Sequence, residues 1–170
     1  NRMELHVSEH NVAALVEGSL RAAAIDRTRV EMEVQPGLEA VVDGSRLQQI
    51  LVNLLTNASW YGGKDMLVVA FSRAGELVIE VHDSGSGVPK KYELTIWERF
   101  ERGENRYNAG VPGSGIGLAM VKSIAESHGG KATYQRSKRL GGACFAIDLP
   151  GRVGKQRPIA VVPMSTRAIG

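Results

Sequence analysis

Apolar positions along this chain recur at two different spacings, and the switches between them lay out its elements. Val12, Leu15, Val16, Leu20 and Ala23 repeat at helical spacing and predict a helix over residues 11–24. Residues 29–34 alternate charged and apolar side chains, the pattern of a half-buried strand. Pro36-Gly37 marks a turn, residues 40–42 a short strand, and Asp43 or Ser45 a helix cap. Leu47, Ile50, Leu51, Leu54, Leu55 and Ala58 then form an unbroken apolar stripe, which Gly62-Gly63 closes. Residues 66–71 and 77–81 read as a hairpin turning at Ala74-Gly75. Residues 84–113 are loop-rich, with short helical turns near Glu93 and Glu98. A helix over 116–128, closed by Gly129-Gly130, and strands over 131–135 and 144–149 complete the chain.

Strands therefore come in adjacent pairs separated by helices. That order predicts an α/β two-layer sandwich: a mixed, mostly antiparallel sheet of about five strands on about three helices. It also weakens the case for a dinucleotide-binding fold, whose glycine motif directly follows a strand.

Length and charge narrow the picture further. A chain of 170 residues fills one core. No apolar run is long enough to span a bilayer and no signal-peptide pattern is present. The chain starts at Asn1 and not Met, which suggests a piece of a longer protein, with room for a membrane anchor upstream. The single cysteine, Cys144, excludes an internal disulfide and fits a reducing compartment; its simplest role is a small core residue. The net charge is +3, and its basic excess lies in Arg152, Lys155, Arg157 and Arg167, a stretch without acidic residues read as a flexible basic tail over 151–170. Apart from Phe145, no aromatic follows Tyr134, so a nucleic-acid surface has little support.

Four clusters carry chemistry. In Gly113-Ser114-Gly115-Ile116-Gly117-Leu118, three glycines lead into a helix, where backbone N–H groups and the helix dipole favour phosphate. Asn53 and Asn57 sit four residues apart on one helix flank, where their carboxamide oxygens suit Mg²⁺ or where both are plain solvent-facing helix residues. Asp83-Ser84-Gly85-Ser86-Gly87 ends a strand with an acceptor for an exocyclic amine, or forms a plain surface turn. Residues 96–102 place Trp97 and Phe100, which suit packing, beside Arg102, whose planar guanidinium suits a γ-phosphate.

In this order, Asn53…Asn57, Asp83-x-Gly85-x-Gly87, Phe100-x-Arg102 and Gly113-x-Gly115-x-Gly117-Leu118 resemble the N, G1, F and G2 boxes of sensor histidine kinases. The likeness is to their catalytic ATP-binding domain, a Bergerat (GHKL) fold, and runs over residues 12–150. It implies that Asn57 ligates Mg²⁺ and, with Arg102 on the γ-phosphate, acts in catalysis, while Asn53 lies near the phosphates. It further implies Tyr61 stacked on the adenine, Asp83 accepting from the adenine amino group, Gly85 and Gly87 shaping that wall, and Val88 contacting nucleotide. Gly113, Ser114, Gly115, Gly117 and Leu118 would bind the phosphates, the last three carrying N–H donors to them. Residues 99–112 would form a mobile ATP lid, residues 1–10 the end of a linker, and residues 11–150 the catalytic unit.

Two positions depart from the family pattern. Trp60 stands where many members carry Lys or Arg, so that a phosphate contact is either lost or supplied by Lys64, and Cys144 stands where Thr is frequent. Hydrolytic relatives on this fold, such as type II topoisomerases, Hsp90-like chaperones and MutL-like repair proteins, place a glutamate four residues before the Mg²⁺-binding asparagine. Asn53 occupies that position here, and a carboxamide is no general base. The resemblance therefore implies phosphotransfer over hydrolysis. None of His6, His10, His82 and His128 has the setting of a phosphoacceptor: His128 reads as a helix end, His82 as packed in a strand, and His10 lacks the following acid. The implied partners are an upstream dimerisation domain carrying that histidine and a response regulator. The isolated domain would be a monomer, within a homodimeric kinase whose catalytic part is cytoplasmic. The alternatives are a serine kinase of the anti-sigma type on the same fold, or a degenerate interaction domain.

Overall fold

The computed structural model describes residues 3–99 and 117–153 of the chain. In chain order the elements are β1 (Ser8–Asn11), α1 (Val12–Ala22), β2 (Val30–Val34), β3 (Glu39–Val42), α2 (Gly44–Tyr61), β4 (Met66–Arg73), β5 (Glu76–Asp83), α3 (Gly117–Ser127), β6 (Lys131–Arg136) and β7 (Ala143–Leu149). Single 3₁₀ turns at Lys90–Tyr92 and Thr95–Trp97 lie where short helical turns are predicted. Five strands form the main sheet in the order β2-β4-β5-β7-β6, with β2 parallel to β4 and the remaining pairs antiparallel. The predicted α/β sandwich is the observed fold.

The core lies between one face of that sheet and the three helices. The α2 stripe of Leu47, Ile50, Leu51, Leu54, Leu55 and Ala58 is buried, together with Val12, Val16 and Leu20 of α1 and Val121, Ile124 and Ala125 of α3. Met66, Val68, Ala70, Leu77, Ile79, Val81, Phe145, Ile147 and Leu149 meet them from the sheet. Each such Leu or Ile removed from water contributes about 1.5–3 kcal/mol before chain entropy is counted. No helix among the described residues is long and apolar enough to cross a membrane.

Two features differ from the sequence pattern. Residues predicted only as a lead-in form β1, which pairs antiparallel with β3 as a separate two-stranded sheet. The predicted pair β2 and β3 is thus split between sheets, because the turn at Pro36-Gly37 sends the chain away and the Val12 N–H binds the Leu38 carbonyl at 3.0 Å. The start of the predicted tail is also held. Val41 donates to the Arg152 carbonyl at 2.7 Å, and Val153 bridges to Ala40 and donates to the Gly75 carbonyl. Residues 154–170 lie outside the described residues.

The N-terminus of α2 is tied down from three sides. Asp43, only 5% exposed, caps it: Oδ1 accepts from the Arg46 N–H at 3.1 Å and Oδ2 from the His6 N–H at 2.9 Å. Its own N–H donates to His128 Nε2 at 3.1 Å, while His128 Nδ1 lies 2.9 Å from the Ile124 carbonyl. A carbonyl only accepts, so the buried imidazole carries its proton on Nδ1 and joins the end of α3 to the start of α2. Arg152 donates through Nε and Nη2 to the His128 carbonyl.

Burial opposes ionisation of Asp43, but the His6 and Arg46 N–H donors and the Arg46 charge outweigh it and lower the carboxyl below its ordinary value. A group depressed in the folded state stabilises fully above its unfolded pKa, about 3.9, and loses that contribution as pH falls through the folded value. Urea melts at descending pH are therefore expected to show a loss of stability in the acid range. Asp43→Asn, which keeps a capping oxygen, should flatten part of that loss.

Candidate nucleotide-binding site

At the end of β5 the chain buries a carboxylate, Asp83, at 5% exposure. Its Oδ1 accepts from the Gly85 N–H at 3.0 Å and the Ala143 N–H at 2.9 Å, and its backbone carbonyl accepts from the Gly142 N–H at 3.0 Å. Oδ2 has no hydrogen-bond partner among the described residues. A buried carboxylate oxygen left open in this way is an acceptor prepared for an incoming donor.

This convergence depends on missing side chains. A Cβ at Gly142 would collide with Asp83 Oδ1 and lie 2.5 Å from the Gly85 nitrogen. A Cβ at Gly85 would lie 2.5 Å from the Tyr61 carbonyl oxygen and 2.9 Å from Gly62 Cα. The end of α2, the turn after β5 and the start of β7 meet here because these positions are glycine. Tyr61 is half-buried beside them, and burial raises its phenol above the usual value.

Residues that the sequence pattern does not single out hold the rim. Ser84 Oγ accepts from the Lys64 N–H at 3.2 Å and the Asp65 N–H at 2.9 Å. Arg29 donates to the Gly63 carbonyl at 2.8 Å and the Lys64 carbonyl at 3.1 Å, pinning the turn after α2. Ser84 lies inside the Asp83-to-Gly87 motif, whereas nothing local marks Arg29. From β6, Tyr134 Oη accepts from the Val88 N–H at 2.9 Å, and Arg136 Nη1 donates to the Ser86 carbonyl at 3.0 Å. Gly87 sits between them at φ +76°, and the Val88 side chain is buried in the core.

Further along α2, the Asn53 Nδ2 donates to the Gln49 carbonyl at 3.0 Å, leaving Oδ1 directed at the head of α3. A Cβ placed on Gly117 would stand 3.2 Å from that oxygen. Gln49 itself reaches across to Met120 Sδ. Asn57, one turn on, is partly buried, and its carboxamide has no hydrogen-bond partner among the described residues. Trp60 is 59% exposed. Asn53, Asn57 and Tyr61 thus form one flank of α2, running about 12 Å at helical rise from the α3 terminus to Asp83. Leu118 packs partly against the core. Arg102, Gly113, Ser114 and Gly115, and residues 100–112 of the segment predicted to form a lid, lie outside the described residues. Trp97 packs edge-on against Phe145, ring centroids 5.8 Å apart, in the packing role its sequence suggests.

Cys144 is fully buried, as expected of a small core residue, and burial pushes its thiol up to about 12. An open groove of about 760 Å³, lined by His6, His10 and Arg46 among others, lies at the opposite end of α2 and contains none of the predicted site residues.

Residues 42–153 match the family described as histidine kinase-, DNA gyrase B- and HSP90-like ATPase. The chain belongs to this family. Among its relatives, the sensor-type histidine kinase PrrB of Mycobacterium tuberculosis is 35% identical over 156 residues, covering 87% of this chain and 34% of PrrB. The sensor protein KdpD of Escherichia coli is 41% identical over 112 residues, covering 64% of this chain and 12% of KdpD. The chain thus spans about a third or less of these relatives. Among solved structures, the ATP-binding domain of M. tuberculosis PrrB superposes with a TM-score of 0.65 at 27% identity, covering 85% of this chain and 97% of that one. The mycobacterial sensor histidine kinase MprB gives a TM-score of 0.71 at 26% identity, covering 88% and 100%. The chain is an ATPase domain of the sensor histidine kinase type.

Because Gly142 touches both the carboxylate and the turn it holds, Gly142→Ala is expected to lower stability by about 1–3 kcal/mol, the usual cost of overpacking, in a urea melt.

Proposed function

We propose that this domain binds ATP with Mg²⁺ and donates the γ-phosphate to a histidine on a dimerisation domain outside this chain, from which a response regulator is then phosphorylated. One observation carries the reading: the flank of α2 presents carboxamides, Asn53 and Asn57, between the head of α3 and the buried Asp83. Oδ2 of Asp83 would accept from the adenine amino group, with Tyr61 and the turn over Gly85, Gly87 and Val88 beside the ring. Gly117 and Leu118, at the first turn of α3, would offer backbone N–H groups to the phosphates, and Gly113, Ser114 and Gly115 would extend that seat. Arg102 would meet the γ-phosphate.

The donor set at Asn57 suits Mg²⁺, a hard cation held by oxygen, and the ion when bound would neutralise charge on the phosphates. Asn53 orients and does not activate water, because its amide is not basic at neutral pH. ATP held in this way stays intact until a partner nucleophile arrives. The acceptor comes from elsewhere: His128 is committed to Asp43 and Ile124, and His82 is buried on the far face of the sheet. We assign the domain to the cytoplasmic part of a membrane-anchored, homodimeric sensor, with residues 1–10 leading in from the dimerisation domain and residues 99–112 closing over the nucleotide.

Asp83→Asn keeps an oxygen for Gly85 and Ala143 but turns an amine toward the ligand. Calorimetric titration with an ATP analogue is expected to show about 10- to 100-fold weaker binding, with the melting curve little changed. Asn57→Asp should alter the Mg²⁺ dependence of that binding. With ATP and the dimerisation domain of the same kinase, the wild-type domain is expected to produce acid-labile phosphohistidine on that partner. Steady ATP turnover by the domain alone would place it with the hydrolytic relatives, and absence of nucleotide binding at millimolar concentration would reduce it to an interaction domain.

A further inference from the structure

Three donor atoms of different chemistry meet on the sheet face turned away from the helices. Ile79 and Val81 of β5, and Phe145 and Ile147 of β7, point into the core, so Glu80, His82 and Cys144 project from the other face. His82 and Cys144 are directly cross-strand neighbours. Cys144 Sγ lies 3.5 Å from Glu80 Oε2 and 3.6 Å from His82 Nε2, and that nitrogen lies 3.3 Å from the same carboxylate oxygen.

These separations are the edges of a coordination tetrahedron. With metal–sulfur at about 2.3 Å and metal–nitrogen and metal–oxygen at about 2.0–2.1 Å, tetrahedral angles put sulfur about 3.5–3.6 Å from each lighter donor and nitrogen about 3.3–3.4 Å from oxygen. The surroundings also suit an ion. His82 Nδ1 lies 2.8 Å from Ser137 Oγ, the outer partner that fixes the ring of a metal-binding histidine. Ser137 also accepts from the Leu140 N–H at 2.9 Å, and from the same β6–β7 connection Arg139 reaches Glu33 of β2 at 2.6 and 3.1 Å. His82, Cys144 and Ser137 are buried, and Glu80 forms the partly open side.

We propose that Glu80, His82 and Cys144 bind a tetrahedral, thiophilic divalent cation, zinc first, with water in the fourth position on the Glu80 side. On binding, the Cys144 thiol releases its proton to solvent, and thiolate, carboxylate and neutral imidazole supply three lone pairs. The two anionic ligands balance the charge of the ion. The site joins β5 to β7 immediately behind the Asp83–Ala143 hydrogen bond, so the ion staples the two strands that position Asp83.

Chelator-treated protein titrated with Co²⁺ is expected to develop thiolate-to-cobalt charge-transfer absorption that saturates at one equivalent and is bleached by Zn²⁺. Cys144 is the sole cysteine, so that band reports this site alone. Cys144→Ser should abolish the band. His82→Gln and Glu80→Gln should each weaken Co²⁺ binding at least about tenfold. A His6→Gln, His10→Gln double variant should leave it unchanged. Circular dichroism checks that each variant folds, and Glu80→Gln, altered at the open edge, serves if a buried variant does not. The proposal is overturned if folded wild-type protein gives no sulfur band at one equivalent of Co²⁺. It is equally overturned if the band keeps its affinity in both His82→Gln and Glu80→Gln, which would leave only a lone thiol capturing metal.

Discussion

The site depends on a single constraint: one oxygen of a buried carboxylate must be satisfied by two backbone N–H groups. Asp83 Oδ1 takes its bonds from Gly85, two residues ahead, and from Ala143, sixty residues away on another strand. A charge removed from water tolerates few arrangements, and this one requires the β5 turn and the start of β7 to approach to hydrogen-bonding distance. Side chains at Gly85 or Gly142 would forbid the approach. Fixing one oxygen in this way orients the other, and the end of the site around Asp83 takes its shape from that choice.

Helix α2 transmits this geometry to the rest of the molecule. Its inner stripe is consumed by the core, so it cannot roll, and its ends are held by different chemistry. Asp43 and the neutral imidazole of His128 hold the start. Arg29 holds the turn beyond the end through two backbone carbonyls. Between those ends, the flank carrying Asn53 and Asn57 runs on from the head of α3, where Asn53 Oδ1 stands beside Gly117. A helix fixed at both ends holds that polar edge in one place.

Much of this was legible in sequence because its determinants are local. Apolar period marks the helices and strands, Gly62-Gly63 and Gly129-Gly130 mark two helix ends, and the four-residue spacing of Asn53 and Asn57 puts both on one flank of α2. What stayed hidden is long-range. Nothing in residues 8–11 announces a strand, since β1 exists only because β3 lies opposite. Arg29 and Tyr134 are ordinary residues until the fold carries them to the rim. His128 reads correctly as a helix end, but its burial and its bond to Asp43, eighty-five residues away, do not follow from position. The meeting of Glu80, His82 and Cys144 is likewise invisible in spacing and appears only in the strand register.

The parallel edge of the sheet has a consequence for how the chain assembles. Hairpins β4–β5 and β6–β7 close over short connections and can zip from their turns. Strand β2 pairs Val30 with Met66, so its partner arrives only after β3 and the whole of α2 have been made and folded back. The entropy of closing that loop falls due before its hydrogen bonds form, which makes such pairings slow. During synthesis β2 therefore waits as an open edge, and Glu31 and Glu33 on its outer face put charge along it, the usual guard against pairing with another chain.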